Sequence, residues 1–313
     1  MIDRRQLYLA TDAPDGASTP TWWTACWLTV PDELRRSELQ ILVHGANSDH
    51  RYWDFPLEPE RYSYVDWAAE RGVATLALDR IGCGASCHPP GAEVTIDAHA
   101  ATLSQLVAAA RSGIPGAPRF ERIVLIGASL GSVVAGMEAA TFADVDAAVL
   151  TAYMPVDGDP DLGEELFDAA FQPAPLGMPR VRGLVDDDYL VPALPGGGGW
   201  LYRVDHSDPA VIALEDEMAG TTTRAELTGA IHAGPAIRRS TVPTLVLVGQ
   251  YDPLMYDGST ESDSHDASTR MAELSPSTFA YDVIADAGHA LNLHKGAHAA
   301  FEKWASWLDG IGT

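Results

Sequence analysis

A serine hydroxyl is a useful nucleophile only when a base takes its proton, and the base works best with a carboxylate holding its other nitrogen. The chain places these three side-chain types just beyond three apolar runs. Ser129 follows Ile123 to Ile126, within Gly127-Ala128-Ser129-Leu130-Gly131. Asp252 follows Thr244 to Val248, within Gly249-Gln250-Tyr251-Asp252-Pro253, and His289 follows Thr278 to Ile284, within Asp286-Ala287-Gly288-His289-Ala290. A fourth run, Leu39 to Val43, leads into His44-Gly45-Ala46-Asn47. That turn reads either as a plain turn or as a place where backbone N–H groups approach a developing oxyanion.

Those residues need rigid elements behind them. A short run of β-branched and aliphatic residues bounded by turn residues reads as a strand buried on both faces, the kind found in parallel sheets. Further strands are expected at Gln6 to Thr11, Thr21 to Val30, Val73 to Leu78 and Ala147 to Tyr153. Helices are expected at Arg61 to Arg71, Thr95 to Arg111, after Ser129, and at the C-terminus around Ala299, Phe301, Trp304 and Trp307. Strand, sharp turn and helix around Gly-x-Ser-x-Gly is the context of a nucleophile elbow, in which flanking glycines permit a strained turn that lifts the serine clear of the sheet. The alternation of strand and helix from Leu39 onward implies right-handed crossovers and a mostly parallel, doubly wound sheet with helices on both faces. Ligands of such sheets sit at the carboxyl ends of the strands, where His44, Asp79, Ser129 and Tyr153 lie.

The alternation stops between Met154 and Thr241. Leu162 to Phe171, Pro209 to Ala219 and Thr223 to Arg239 have helical spacing, and Pro195-Gly196-Gly197-Gly198-Gly199 reads as a mobile connection. The expectation is a helical cap at 156–240 inserted into a core of 1–155 and 241–313. Its apolar residues, among them Phe167, Phe171, Leu176, Met178, Leu190, Trp200 and Tyr202, either line a pocket or pack the cap onto the sheet. The candidate substrate-contacting set is His44, Asn47, Tyr153, Met154, Phe167 and Trp200.

The net charge of −24 and the pI near 4.5 exclude a broad basic surface for nucleic acid or an anionic membrane. The first residues lack a signal-peptide core and no apolar run reaches bilayer length, so a cytoplasmic location is expected. The cysteines, Cys26, Cys83 and Cys87, are too few for a disulfide framework. Cys83, Cys87 and His88 lack a fourth metal ligand, and the Asp79-to-Ser86 loop has no P-loop lysine, so no metal or cofactor is expected.

Five pieces together resemble the α/β-hydrolase superfamily, from Leu39 to the C-terminus. They are His44-Gly45, Asp79-Arg80-x-Gly82-x-Gly84-x-Ser86, the Ser129 elbow, Gly249-x-x-Asp252-Pro253 and Gly288-His289, with serine, aspartate and histidine in that family's chain order. The resemblance implies the α/β-hydrolase fold, Ser129 as nucleophile, His289 as base, Asp252 as its orienting acid, and the N–H groups of Ala46 and Leu130 as the oxyanion hole. His294 and His298 are rival bases, and Asp157 is a rival acid. A serine at the elbow disfavours the haloalkane dehalogenase and epoxide hydrolase branches, which use aspartate there.

The activity implied is cleavage of an ester, thioester or lactone of an apolar small molecule, with a rate that rises through about pH 6 to 7, where an imidazole ordinarily titrates. Elimination, cyclisation or carbon–carbon cleavage on a bulky polyketide-like substrate, a small-molecule receptor, and a peroxide-using relative are the alternatives. Oligomeric state and substrate identity stay open at this level.

Overall fold

The computed structural model of the chain describes residues 2–115, 117–156, 167–193, 197–255, 269, 271 and 278–311. Strands are numbered in chain order. The main sheet runs β1 (Ile2–Asp12), β2 (Thr21–Pro31), β4 (Ala74–Leu78), β3 (Glu38–Val43), β5 (Arg122–Ala128), β6 (Ala147–Thr151), β10 (Thr244–Gly249) and β11 (Phe279–Ile284). From β4 to β11 every neighbouring pair is parallel, while β1 and β2 form an antiparallel edge. This is the mostly parallel architecture that the apolar runs predict.

The central strands are buried on both faces, and their alternate residues enter different cores. Ile123 and Leu125 of β5, with Val246 and Val248 of β10, pack with the helices Ile96–Ser112 and Leu130–Thr141. Val124 and Ile126, with Leu245 and Leu247, face the opposite layer, where the helices Tyr64–Glu70 and Ala297–Ile311 supply Tyr64, Trp67, Phe301 and Trp304. Register then brings the active edge together. Val43 pairs with Gly127, Ala128 and Leu247 both pair with Thr151, and Gly249 pairs with Ile284. His44, Ser129, Asp252 and His289 consequently leave the sheet along one edge.

Two helical expectations change. Arg61 to Arg71 is split into Pro59–Tyr62 and Tyr64–Glu70, because Ser63 takes an extended conformation and caps the second helix by accepting the Asp66 N–H. Between β6 and β10 the chain is not purely helical. It carries an antiparallel sheet of β7 (Phe171–Pro173), β8 (Tyr189–Pro192) and β9 (Thr222–Thr223), beside helices at Pro209–Met218, Arg224–His232 and Gly234–Ile237. Strands of two to four residues are too short to set up an alternating pattern. The Leu162-to-Phe171 helix and the glycine run lie partly outside the described residues; Phe167 to Ala170 is helical, and Gly197–Leu201 is a 3-10 turn.

No helix among the described residues is long and apolar enough to cross a membrane. Cys26, Cys83 and Cys87 are buried free thiols.

Candidate active site

The elbow is built by steric necessity. Ser129 has φ +52° and stands just ahead of the helix Leu130–Thr141. Its strain is held by its N–H donating to Thr151 O at 2.8 Å, and the Ser132 hydroxyl donates to the same carbonyl at 2.7 Å. A methyl on Gly127 would come within 2.5 Å of Gly131 O, and one on Gly131 within 2.2 Å of Val43 O. Both flanking positions must be glycine for the strand, the helix and the 44–47 turn to converge.

His289 meets Ser129 from the other side. Its Nε2 accepts the Ser129 hydroxyl at 2.7 Å, and its Nδ1–H donates to the two Asp252 oxygens at 3.0 and 2.9 Å. Asp252 is wholly buried, and its Oδ1 also accepts the Leu254 N–H at 3.0 Å. Gly249 makes this packing possible, since a methyl there would lie 2.1 Å from Gly288 O. The three side chains singled out in the sequence are thus brought into one hydrogen-bonded row. Asp157 lies outside the described residues.

The rival histidines do other work. His298 lies in the C-terminal helix, where its Nε2 donates to Glu60 O at 3.1 Å. His294 donates from Nδ1 to Ala290 O at 2.8 Å, and its Nε2 accepts the N–H groups of Gly288 at 2.9 Å and Arg203 at 3.0 Å. Burial, more than anything else, lowers its pKa to about 4, so the ring is a neutral acceptor at ordinary pH. The His289 N–H donates to Leu201 O at 2.7 Å, which fastens the same loop to residues 201–203.

The 44–47 turn lies against the elbow: a methyl on Gly45 would meet Ala128 O at 3.2 Å and Ser129 Cβ at 3.3 Å. Leu130 is the first residue of its helix, so its N–H is one of the unpaired donors at a helix start. Among the described residues none accepts the Ala46 N–H. The two N–H groups that the resemblance implies for an oxyanion hole are in this way uncommitted.

The substrate-contacting candidates divide. Tyr153, Met154 and Phe167 share one apolar cluster with Leu130 and Ala46, and Phe167 meets Phe171 edge-on at 6.1 Å. Trp200 is 49 % exposed and outside that cluster. Asn47 has φ +53°, its carbonyl accepts the Gly220 N–H at 2.9 Å, and its buried Oδ1 has no hydrogen-bond partner among the described residues. His44 is corrected: it is fully buried and both ring nitrogens are used, Nδ1–H donating to Gly45 O at 2.8 Å and Nε2 accepting the Arg80 N–H at 3.0 Å. It shapes the turn and is closed to a substrate.

The Asp79-to-Ser86 loop is fixed by its own hydrogen bonds. Asp79 accepts the N–H groups of His50 at 2.9 Å and Ala85 at 2.7 Å, and Gly84, at φ +52°, leaves room for that carboxylate. Among the described residues Asp49, His50 and Asp79 form the one grouping with metal-ligand spacing. Its atoms are already engaged, with Asp49 on Arg51 and His50 on Asp79.

Sequence reasoning gave Arg80 no role of its own, and missed Glu226 and the hydrogen bonds by which His294 holds Gly288. Glu226 was legible only as the third residue of a capping box with Thr223.

Comparison with known proteins agrees with this architecture. No curated protein matches the sequence. The fold is similar to that of a thermostable carboxyl esterase from Bacillus coagulans, at 15% identity and TM-score 0.66, covering 98% of each chain. It is also similar to an esterase from Exiguobacterium antarcticum, at 14% identity and TM-score 0.60 over 96% of this chain and 100% of that one. A hydrolase from Pseudomonas aeruginosa shares 21% identity at TM-score 0.60, over 97% and 98% of the two chains. At these identities the likeness concerns the fold alone. Residues 40–301 match the family described as "Alpha/beta hydrolase family". With most of its length matched in this way, the chain belongs to the alpha/beta hydrolase family.

Proposed function

We propose that the protein is a serine hydrolase that cleaves an ester, thioester or lactone bond of a largely apolar small molecule. The observation that carries this reading is the row Asp252–His289–Ser129, at 2.9 and 2.7 Å. Ser129 Oγ attacks the carbonyl carbon while His289 Nε2 takes its proton, and Asp252 stabilises the resulting imidazolium. The Ala46 and Leu130 N–H groups receive the oxyanion. Collapse expels the alcohol or thiol, which takes the proton back from His289. Water then attacks the acyl-enzyme with His289 again as base, and the acid leaves. In this reading Tyr153, Met154 and Phe167, which share an apolar cluster with Leu130, supply apolar substrate surface, and 156–240 serves as the cap. That similar structures include esterases agrees with this choice of bond.

The test is a panel of nitrophenyl esters and acyl thioesters of graded chain length, run beside Ser129→Ala. The substitution lowers turnover by about four to six powers of ten, because members of such a row act as a unit. A rapid quench with mass spectrometry finds the acyl group on Ser129. Near-normal turnover in Ser129→Ala sinks the mechanism. Tight ligand binding with no turnover across the panel points to a receptor, and turnover to an eliminated or cyclised product with no adduct points to a proton relay.

A further inference from the structure

Arg80 is 1 % exposed, and a guanidinium is costly to bury unless it is paired and hydrogen-bonded. It ion-pairs with Glu226, which is wholly buried in the helix Arg224–His232. Its remaining donors do not turn to solvent. Nε–H donates to His44 O and Nη2–H to Gly45 O, each at 3.1 Å. Its backbone N–H donates to His44 Nε2, which leaves the His44 proton on Nδ1 to reach Gly45 O at 2.8 Å. The Gly45 carbonyl accordingly accepts two hydrogen bonds, one from Arg80 Nη2–H and one from the His44 ring whose other nitrogen accepts the Arg80 N–H.

A trans peptide carries its C=O and N–H on opposite sides. Drawing Gly45 O toward Arg80 turns the Ala46 N–H the other way. The elbow borders this turn, since a methyl on Gly45 would lie 3.3 Å from Ser129 Cβ. We propose that Arg80 is a positioning residue for the oxyanion hole: it fixes the Gly45–Ala46 peptide with its N–H aimed at the acyl oxygen, and Glu226 holds the guanidinium in place. The inference rests on the hydrolase reading above.

Glu226 has little slack in this role. Its Oε1 also accepts His99 Nε2–H at 2.7 Å, and its Oε2 accepts the Thr223 N–H at 2.7 Å and the Thr222 hydroxyl at 3.2 Å. Burial opposes its charge, yet Arg80 and His99 hold the carboxyl down at about 2. Glu226 thereby ties the helix Arg224–His232 to the geometry of the 44–47 turn through an ion pair.

Three variants test this: Arg80→Lys, which keeps the charge and loses the fork; Glu226→Gln; and the double Arg80→Met/Glu226→Leu, which removes both charges and keeps apolar packing. Thermal melts identify which of them fold. The readouts are kcat and KM on the best ester of the panel, the pH profile of kcat/KM, and the affinity of a trifluoromethyl ketone that forms a tetrahedral oxyanion on serine. In the folded Arg80 variants kcat falls about 10²-fold, the ketone weakens by a similar factor, and KM stays within about threefold. The pH profile does not move, because His289 and Asp252 are untouched. Folded variants that keep kcat and ketone affinity, or that lose activity through KM or a displaced pH profile, overturn the proposal. A wild-type protein inert to both esters and ketone removes the hydrolase reading and this proposal together, whereas an active wild type with unimpaired variants removes this proposal alone.

Discussion

His294 holds Gly288 in place: its Nε2 accepts the Gly288 N–H at 2.9 Å, one residue ahead of His289. The same nitrogen accepts the Arg203 N–H, and the ring stacks on Tyr202 at 5.3 Å. Replacing His294 by Phe keeps a ring on Tyr202 and strands two backbone donors. The expected loss is on the order of 2 kcal/mol of stability and about tenfold or more in kcat through a misplaced His289. Urea melts and steady-state kinetics check this. An unchanged kcat in a folded His294→Phe protein would show that the clamp has no bearing on the base.

Acid should weaken the fold through the same ring. Burial lowers His294 to about 4 and, with the Arg80 charge adding to it, His44 to about 3. Both histidines are neutral in the fold, so below about pH 6.5 the unfolded chain binds protons that the native chain does not. Their contribution is complete above about pH 6.5 and is lost as pH falls toward 4 and 3. Stability measured by denaturant between pH 7 and 4.5 falls with pH, and falls less steeply in His294→Phe. Parallel slopes for the two proteins would remove His294 from this account.

Alkali acts through Glu138, a wholly buried residue of the elbow helix whose carboxyl burial, and then Asp144 beside it, push up to about 10. The group is protonated in the fold at neutral pH and ionised in the unfolded chain. Its contribution is complete below about pH 4.5 and is lost as pH rises through about 10. Glu138→Gln cannot ionise, so its melting temperature declines less between pH 7 and 10 than that of the wild type. Identical decline in both proteins is the opposing outcome.

Gly131→Ala tests the geometry of the elbow. The added methyl would meet Val43 O at 2.2 Å and His44 O at 2.5 Å, which are backbone atoms unable to rotate aside. The helix and the 44–47 turn must part, and a displacement near 1 Å costs about 10²-fold in rate. A fluorophosphonate labels Ser129 correspondingly slowly. Wild-type labelling and turnover in this variant would mean that the contact between helix and turn is dispensable.

The sequence alone determined the sheet, the elbow and the three residues that meet there, because these depend on local features. An apolar run such as Ile123 to Ile126 can only be a buried strand or helix interior, and Gly127 and Gly131 read as glycines that a tight turn requires. Short strands such as Thr222–Thr223 were illegible because two residues carry no period. Tertiary structure decided what each polar side chain does once buried. His44, His289 and His294 are the same residue type at comparable turns. Only the atoms that meet their ring nitrogens make one a brace for the Gly45 carbonyl, one the partner of Ser129 and Asp252, and one a clamp on Gly288. Arg80 and Glu226 are 146 positions apart, and no spacing rule joins them. They pair because a buried charge has to find its opposite within hydrogen-bond reach, and the fold brings Glu226 there.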